Sequence, residues 1–138
     1  MYLLDTNVVS EFRKKSNANK GVQAFLSTAA KESQQIYLSV ITIGELRRGV
    51  ENIRHRGDHD QGDLLETWLY EVVTNYSNHL LPFTEQEAQI WGYLRVPRQE
   101  KSHDKQIAAT ALTHDLCVVT RNISHFEGTG VRLLNPYT

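Results

Sequence analysis

The sequence has only one cysteine, Cys117, and no long apolar run. A single cysteine excludes an internal disulfide and is typical of proteins of the reducing cytoplasm. A membrane-spanning helix needs about 18 or more apolar residues, and no segment approaches that length. The N-terminus also lacks the basic start and apolar centre of a signal peptide. We therefore expect a cytoplasmic protein without a membrane segment.

The chain also lacks an excess of positive charge. It has 15 lysines and arginines against 16 acidic residues, a formal net charge of -1. Proteins that coat nucleic acid are usually basic overall, so any nucleic-acid site must be local. A bound metal ion would supply part of the missing positive charge there. Hydrophobic residues make up 40% of the 138 residues, which is close to the globular average. We expect residues 1–138 to form a single domain.

Short apolar segments alternate with helical patterns along the chain. Apolar and β-branched runs predict strands, and helices follow from apolar residues spaced three or four apart. This alternation predicts an α/β fold, a sandwich around a central, mainly parallel sheet of about five strands flanked by helices. The predicted strands are 2–4, 36–40, 80–81, 116–120 and 131–134. The predicted helices are centred on 8–12, 22–26, 42–53, 64–73, 84–95 and 103–113, with polar loops at 14–20 and 54–63.

Helix starts and inward faces are predicted from side-chain type. Asn7 is a plausible cap for the first helix. Thr42, with Glu45 three residues later, matches a capping box. On the late helices, the apolar spacing predicts the following inward residues: Ala88, Trp91, Leu94, Ile107, Ala108, Ala111 and Leu112.

Three acidic residues occupy positions where chemistry is expected. Asp5 directly follows the first strand, Glu45 lies early in the helix after the second, and Asp104 begins the alanine-rich helix. Ligands of open parallel sheets bind at the carboxyl ends of strands, and the small residues 107–111 let the last helix pack close to the sheet. Each acid also has a purely structural alternative. Asp5 could be a turn or cap residue, Glu45 a member of the capping box, and Asp104 an acid stabilised by the dipole of its helix.

Carboxylates that converge on one rim repel each other unless a cation lies among them. Mg²⁺ suits such a set because it takes hard oxygen ligands and needs only one or two carboxylates besides water and phosphate oxygens. Mn²⁺ is chemically close. The six histidines and one cysteine show no zinc-ligand spacing. The acids therefore predict a Mg²⁺ or Mn²⁺ site.

Four motifs in order carry a resemblance to a known family. The segments 3–7, 39–46 and 104–112 resemble the three acidic motifs of PIN-domain ribonucleases. The segment 118–122, together with Phe126 and residues 128–131, resembles their closing segment. Within the family, the chain is most similar to the VapC/FitB-like toxins of type II toxin–antitoxin systems. The resemblance extends from residue 2 to about residue 137 and implies a PIN-like three-layer sandwich.

The resemblance implies an activity and partners. Asp5, Glu45 and Asp104 would be the catalytic residues and would bind one or two divalent ions, Mg²⁺ or Mn²⁺, for hydrolysis of RNA phosphodiester bonds. Transfer RNA, ribosomal RNA and messenger RNA all remain candidate substrates. The family also implies a homodimer, and a cognate antitoxin protein that docks over the toxin and can place a basic side chain in the acidic pocket.

One position departs from the family pattern. A fourth acid is frequent where this chain has His125, which leaves a second metal site open. Asn122 is an alternative oxygen donor. Thr6, Asn7 and Thr120 are expected to hydrogen-bond a ligating carboxylate or its water.

Basic and aromatic residues predict binding surfaces. Four basic side chains near the acids are candidates for RNA phosphate contacts: Arg47, Arg48, Lys105 and Arg121. Their alternative is a solvated helix face. Three residues of the 64–73 helix are candidates for an antitoxin groove: Trp68, Leu69 and Val72. Three of the 84–95 helix are candidates for a dimer contact: Trp91, Tyr93 and Leu94. Core packing is the alternative for all six.

Rival functions make different demands on the sequence. An aspartyl phosphatase with Asp5 as nucleophile usually has a second aspartate two residues later, where this chain has Asn7. A receiver-type signalling domain needs an acidic pair near the N-terminus, which is missing. A PIN domain that binds RNA or a partner without cleavage is the remaining alternative, and His125 favours it.

Overall fold

A computed structural model describes all 138 residues, Met1–Thr138. Its five strands form one sheet in the order β3-β2-β1-β4-β5, and every neighbouring pair is parallel. The strands are β1 (Tyr2–Leu4), β2 (Ile36–Ser39), β3 (Leu80–Leu81), β4 (Cys117–Val119) and β5 (Arg132–Leu134). The predicted α/β class and five-stranded sheet are confirmed, and the sheet is wholly rather than mainly parallel.

Six α-helices connect and cover these strands. They are α1 (Thr6–Glu11), α2 (Lys20–Lys31), α3 (Val40–His55), α4 (His59–Asn75), α5 (Glu85–Leu94) and α6 (Ser102–His114). Short 3₁₀ helices lie at Phe12–Asn17, Ser77–His79 and Ile123–Phe126. The loop predicted at 14–20 is thus partly a 3₁₀ helix. The break predicted at 54–63 shrinks to residues 56–58, because Asp58 caps α4 by accepting the Gln61 N–H at 3.1 Å.

The two faces of the sheet contact different helices, because side chains alternate along each strand. Leu4, Leu38 and Val119 lie in a core formed with α1 to α4. Leu3 and Val118 belong to a second core, formed with α5, α6 and the segment after β4. This gives the expected three layers. The alanine-rich face of α6 lies against the sheet, where Ala108, Ala109 and Ala111 are buried. The inward positions predicted for Ala88 and Leu112 are wrong, since both are exposed.

The helix caps differ from the predicted ones. Asp5 caps α1, since its Oδ1 accepts the Thr6 N–H at 2.8 Å. Ser39 caps α3 by accepting the Ile41 N–H at 3.0 Å. The cap predicted at Asn7 and the capping box of Thr42 and Glu45 are therefore wrong. Because Ser39 caps α3 in place of the predicted capping box, the Glu45 carboxylate is free to face another side chain.

Gly21, in the first turn of α2, closely approaches residues 136–138. A Cβ on Gly21 would lie 2.0 Å from the Pro136 carbonyl oxygen. Gly21→Ala should therefore lower the free energy of unfolding by roughly 1–3 kcal/mol, as overpacking does. Gly92→Ala is the matched control, because nothing lies within 4 Å of its Cβ position in α5. That change should raise stability by about 0.5–1 kcal/mol. If urea unfolding shows that both variants change the free energy of unfolding in the same direction, this packing is contradicted.

None of the six α-helices is long and apolar enough to span a membrane.

Candidate active site

The site lies where the chain changes direction across the sheet. From the central strand β1 the chain passes to β2 and β3 on one side, and it later returns to β4 and β5 on the other. At such a point the loops beyond the carboxyl ends of two neighbouring strands diverge and leave a crevice. Asp5 follows β1 and Thr120 follows β4, so both lie at this crevice.

Asp5 is held rigidly at the rim. It is buried, and its two carboxylate oxygens accept different hydrogen bonds. Oδ1 accepts from the Thr6 N–H, and Oδ2 accepts from the Thr120 hydroxyl, each at 2.8 Å. The Thr120 oxygen in turn accepts the Asn122 N–H at 3.0 Å. Carboxylate oxygens have further lone pairs, so Asp5 can still bind another donor or a cation.

Glu45 reaches the same rim from α3. Its Oε1 accepts the Thr6 hydroxyl at 2.8 Å, and the Thr6 oxygen also lies 3.3 Å from the Thr42 hydroxyl oxygen. Its Oε2 lies 3.3 Å from Nδ1 of His103. Thr6 therefore links two of the acids, through its backbone N–H to Asp5 and through its hydroxyl to Glu45.

Asp104 approaches from the first turn of α6. Its Oδ2 lies 3.0 Å from Nδ1 of His125, which belongs to the 3₁₀ helix after β4. His125, which stands where a fourth acid is frequent in the similar sequences, thus contacts Asp104 directly. The small residues of α6 are packed against the sheet and bring Asp104 close to the rim, as the sequence predicted.

The charges of the three carboxylates influence the pKa values at the site. Burial raises the pKa of Asp5, hydrogen bonds from Thr120 and Thr6 lower it, and the charges of Asp104 and Glu45 raise it again, leaving it above its ordinary value. Burial also raises the pKa of Asp104, against the lowering effect of His125 and with a further increase from Glu45. A cation among these groups would offset both the cost of burying the negative charges and the repulsion between them.

The donor set fits a hard divalent cation. As the side chains stand, no three His, Cys, Asp or Glu residues form a group that could hold a metal ion by themselves. Mg²⁺ needs no such group, since one or two carboxylates with waters and substrate phosphate oxygens complete its octahedron. Asp5 and Asp104 would supply those two carboxylates, and Glu45 is linked to Asp5 through Thr6.

The other candidates at the rim take different parts. Thr6 and Thr120 hydrogen-bond the acids as expected. Asn122 contributes its backbone N–H to Thr120. The Asn7 side chain is exposed, and only its backbone carbonyl accepts a bond, from the Tyr137 hydroxyl. The contact of His103 with Glu45 was missed, although its place beside Asp104 in the first turn of α6 is a signal that sequence reasoning can use.

The four candidate RNA-binding residues differ in availability. Lys105 is buried and its ammonium donates to the Arg98 carbonyl oxygen, so its prediction as a phosphate contact is wrong. Arg47 is paired with Glu51 and Glu66 on α3 and α4. Arg48 and Arg121 are exposed and form no ion pair.

The predicted antitoxin and dimer residues also separate. Leu69 and Val72 are buried in the core, so they line no groove. Trp68 does line one, a groove of about 440 Å³ between α1, α3 and α4 that includes Glu45. On α5, the Trp91 indole N–H donates to the Ser102 carbonyl at 3.1 Å and Leu94 packs against the core. Tyr93 is 81% exposed.

Comparison with known proteins identifies the family. The PIN domain model matches residues 2–129. The chain belongs to the PIN-domain family. This PIN domain is 35% identical to Toxin FitB of Neisseria gonorrhoeae and 31% identical to VapC ribonuclease Y4jK of Sinorhizobium fredii, and these alignments cover at least 98% of each chain. The crystal structure of FitAcB from Neisseria gonorrhoeae superimposes with a TM-score of 0.83 at 34% identity, covering 99% of this chain and 98% of that one.

Proposed function

We propose that this PIN-domain protein is a divalent-cation-dependent endoribonuclease and the toxin of a toxin–antitoxin pair. The observation that carries the proposal is the placement of three acids around one rim, where Thr6 hydrogen-bonds both Asp5 and Glu45 and the charges of Glu45 and Asp104 raise the pKa of Asp5. The names of two relatives, a toxin and a ribonuclease, support it.

The residues of the rim divide the work. Asp5 and Asp104 would hold Mg²⁺ or Mn²⁺, with Glu45 direct or through water. Such a cation, when bound, activates water and offsets negative charge on the phosphate. Thr120 and Thr6 keep the carboxylates in one orientation, since each donates to an acid at 2.8 Å. His125 orients Asp104 through the contact of its Nδ1 with Oδ2 at 3.0 Å. Outer hydrogen bonds of this kind typically change metal affinity or activity 10- to 100-fold.

The test is cleavage of total bacterial RNA by the purified protein with Mg²⁺ or Mn²⁺. Discrete fragments that disappear with EDTA support the nuclease, and their sequence names the substrate, whether transfer, ribosomal or messenger RNA. Folded protein that cleaves nothing with either cation overturns it.

His125 is the observation that favours a second candidate, a PIN domain that binds RNA without cleaving it. Its imidazole lies against Asp104, where an oxygen ligand would otherwise be available. Neutral imidazole is a poor ligand for Mg²⁺. Saturable RNA binding together with absent cleavage in both cations would support this alternative.

We also propose the groove beside Glu45 as the antitoxin site. Arg13 stacks over Trp68 at 5.6 Å, and Leu65 and Ile53 add apolar surface. This lining suits the apolar face of an amphipathic helix, and a basic side chain of that helix could reach Glu45. Trp68→Ala should weaken binding of the cognate antitoxin about tenfold or more, as at an aromatic hot spot. Unchanged affinity by calorimetry would place the antitoxin elsewhere.

A homodimer is the remaining part of the proposal. The exposed side chains of Tyr93 and Val96 near the end of α5 support a contact there. Sedimentation equilibrium of the purified protein distinguishes a dimer from a monomer.

A further inference from the structure

Arg121 is fixed beside the acidic rim by its neighbours in sequence. Thr120 donates to Asp5, and the Asn122 N–H donates to Thr120. The backbone of Arg121 therefore lies between two residues tied to the Asp5 carboxylate. Its side chain is exposed, so the guanidinium can meet a molecule that binds across the rim.

The guanidinium of Arg121 is oriented but not neutralised. Arg47, Arg54 and Arg132 each form an ion pair with an acid. Arg121 forms none, and instead lies over the ring of Tyr137 at 5.1 Å. It is near enough to Glu11 to help lower the pKa of that carboxyl, but Lys14 and the Asn19 N–H are the main causes. The hydrogen-bonding edge of Arg121 thus remains available for an anion.

Tyr137 is itself held in place from three directions. Its hydroxyl donates to the Asn7 carbonyl at 3.3 Å, and its N–H donates to Asn135 Oδ1 at 3.0 Å. The next residue, Thr138, exchanges two hydrogen bonds with the Asn19 side chain, each at 3.2 Å. The close approach of Pro136 to Gly21 fixes the same segment.

We propose that Tyr137 is a positioning residue that holds Arg121 over the rim, where the guanidinium binds a phosphate of the RNA next to the one held by the acids. The proposal rests on the RNA-cleaving function proposed above and names the residues that hold the strand. A planar guanidinium binds phosphate oxygens through two parallel hydrogen bonds. Stacking on an aromatic face limits its freedom before RNA arrives, which lowers the entropy lost on binding.

The test measures binding separately from cleavage. The Asp5→Asn protein is titrated into a short fluorescein-labelled single-stranded RNA, and anisotropy gives the Kd at several salt concentrations. Adding Arg121→Gln should weaken binding roughly tenfold, as for one charge-assisted contact. It should also reduce the salt slope by about 0.7, the value for one phosphate of a single strand.

The matched control is Arg132→Gln. It removes the same charge from an exposed arginine at the start of β5, and strand starts lie at the end of this parallel sheet opposite the rim. It should leave both Kd and salt slope unchanged. Equal losses in the two variants would indicate a general charge effect and overturn the proposal.

Tyr137 needs readouts that a structural role alone would not change. Tyr137→Leu should weaken RNA binding roughly two- to fivefold, as loss of a cation–π contact does. Tyr137→Phe, which keeps the ring, should bind within about twofold of the parent. In the Arg121→Gln background, Tyr137→Leu should have no further effect. Equal additional loss in that background would overturn the positioning role, even if Tyr137→Leu is destabilised.

The outcomes also separate this inference from the proposed function. If Arg121→Gln weakens RNA binding and lowers the salt slope as predicted, but the unsubstituted protein cleaves no RNA, the Arg121 contact is retained and the nuclease is rejected. Cleavage by the unsubstituted protein with no effect of Arg121→Gln on binding would reject the contact and retain the nuclease. No RNA binding by the Asp5→Asn protein, together with no cleavage by the unsubstituted protein, would reject both.

Discussion

Asp5→Asn should reduce RNA cleavage by more than about 100-fold and leave the protein folded. Loss of an outer hydrogen bond to a metal ligand reduces activity by up to about 100-fold, and loss of a ligand itself should exceed that. Asparagine keeps one oxygen that can cap α1. Its amide nitrogen replaces the other oxygen and can donate to the Thr120 hydroxyl oxygen, so the change removes charge with little loss of structure. The measurement is initial cleavage rate at saturating cation.

The control for that experiment is Asp115→Asn. Asp115 follows α6 at the end opposite Asp104, and its side chain is 94% exposed. Its φ of 54° suits asparagine. Its cleavage rate should match that of the unsubstituted protein. Full activity of Asp5→Asn beside this control would remove Asp5 from the site.

Asp5→Asn should not lower the free energy of unfolding in the absence of cation. Burial is the largest cause that raises the pKa of Asp5 above 3.8. An acid whose folded pKa is raised loses stability as the pH increases from its unfolded pKa through the folded one. At pH 7 the ionised carboxylate is therefore unfavourable in the folded state. Asp5→Asn in EDTA should unfold at the same temperature as the parent or higher, as often occurs when a strained functional group is removed.

Phe126→Ala should have the largest effect on stability. Phe126 is the largest fully buried side chain and belongs to the core between the sheet, α5 and α6. Removing a buried phenyl ring leaves a cavity, and the expected loss is about 3–5 kcal/mol in the free energy of unfolding. Such a loss is a large fraction of the stability of a small domain. Denaturant unfolding at constant m-value measures it.

Ile123→Ala provides the comparison for Phe126, because it changes the other end of the same 3₁₀ helix. Ile123 is 37% exposed, so its truncation should cost less than about 1.5 kcal/mol. A loss of similar size at both positions would show that the 3₁₀ helix, rather than the Phe126 ring, is the source of stability. His125 lies between them, so Phe126→Ala should also disturb its contact with Asp104.

The strands and the placement of the three acids could be predicted from sequence because they depend on local patterns. An apolar run followed directly by Asp5 indicates a buried strand that ends at a functional rim. The alanines at 108, 109 and 111 indicate a helix packed against the sheet, which carries Asp104 with it. These signals need only the alternation of side chains and the rule that parallel strands end at one edge.

The contacts that sequence reasoning missed join residues far apart in the chain. Tyr137 donates to the carbonyl of Asn7 across 130 positions, and Asn19 holds Thr138 across 119. No local pattern encodes such pairs. The cap predictions were wrong for a different reason. Asn7 and Thr42 are residue types that often cap helices, but each helix begins directly after its strand. Asp5 and Ser39 therefore already accept hydrogen bonds from the first N–H groups. Lys105 looked available for RNA because the carbonyl that its ammonium contacts, that of Arg98, lies seven residues earlier in the chain and no local pattern indicates this contact.

We expect the acidic rim to bind a divalent cation, and thermal unfolding of the parent and of Asp5→Asn tests this most directly. Each protein is unfolded in EDTA and in excess Mg²⁺ or Mn²⁺. A ligand at about 100 times its Kd stabilises the folded state by about 2.7 kcal/mol. We expect the Tm of the parent to rise with cation and that of Asp5→Asn to stay unchanged. No rise in the parent, or an equal rise in both proteins, would contradict the account.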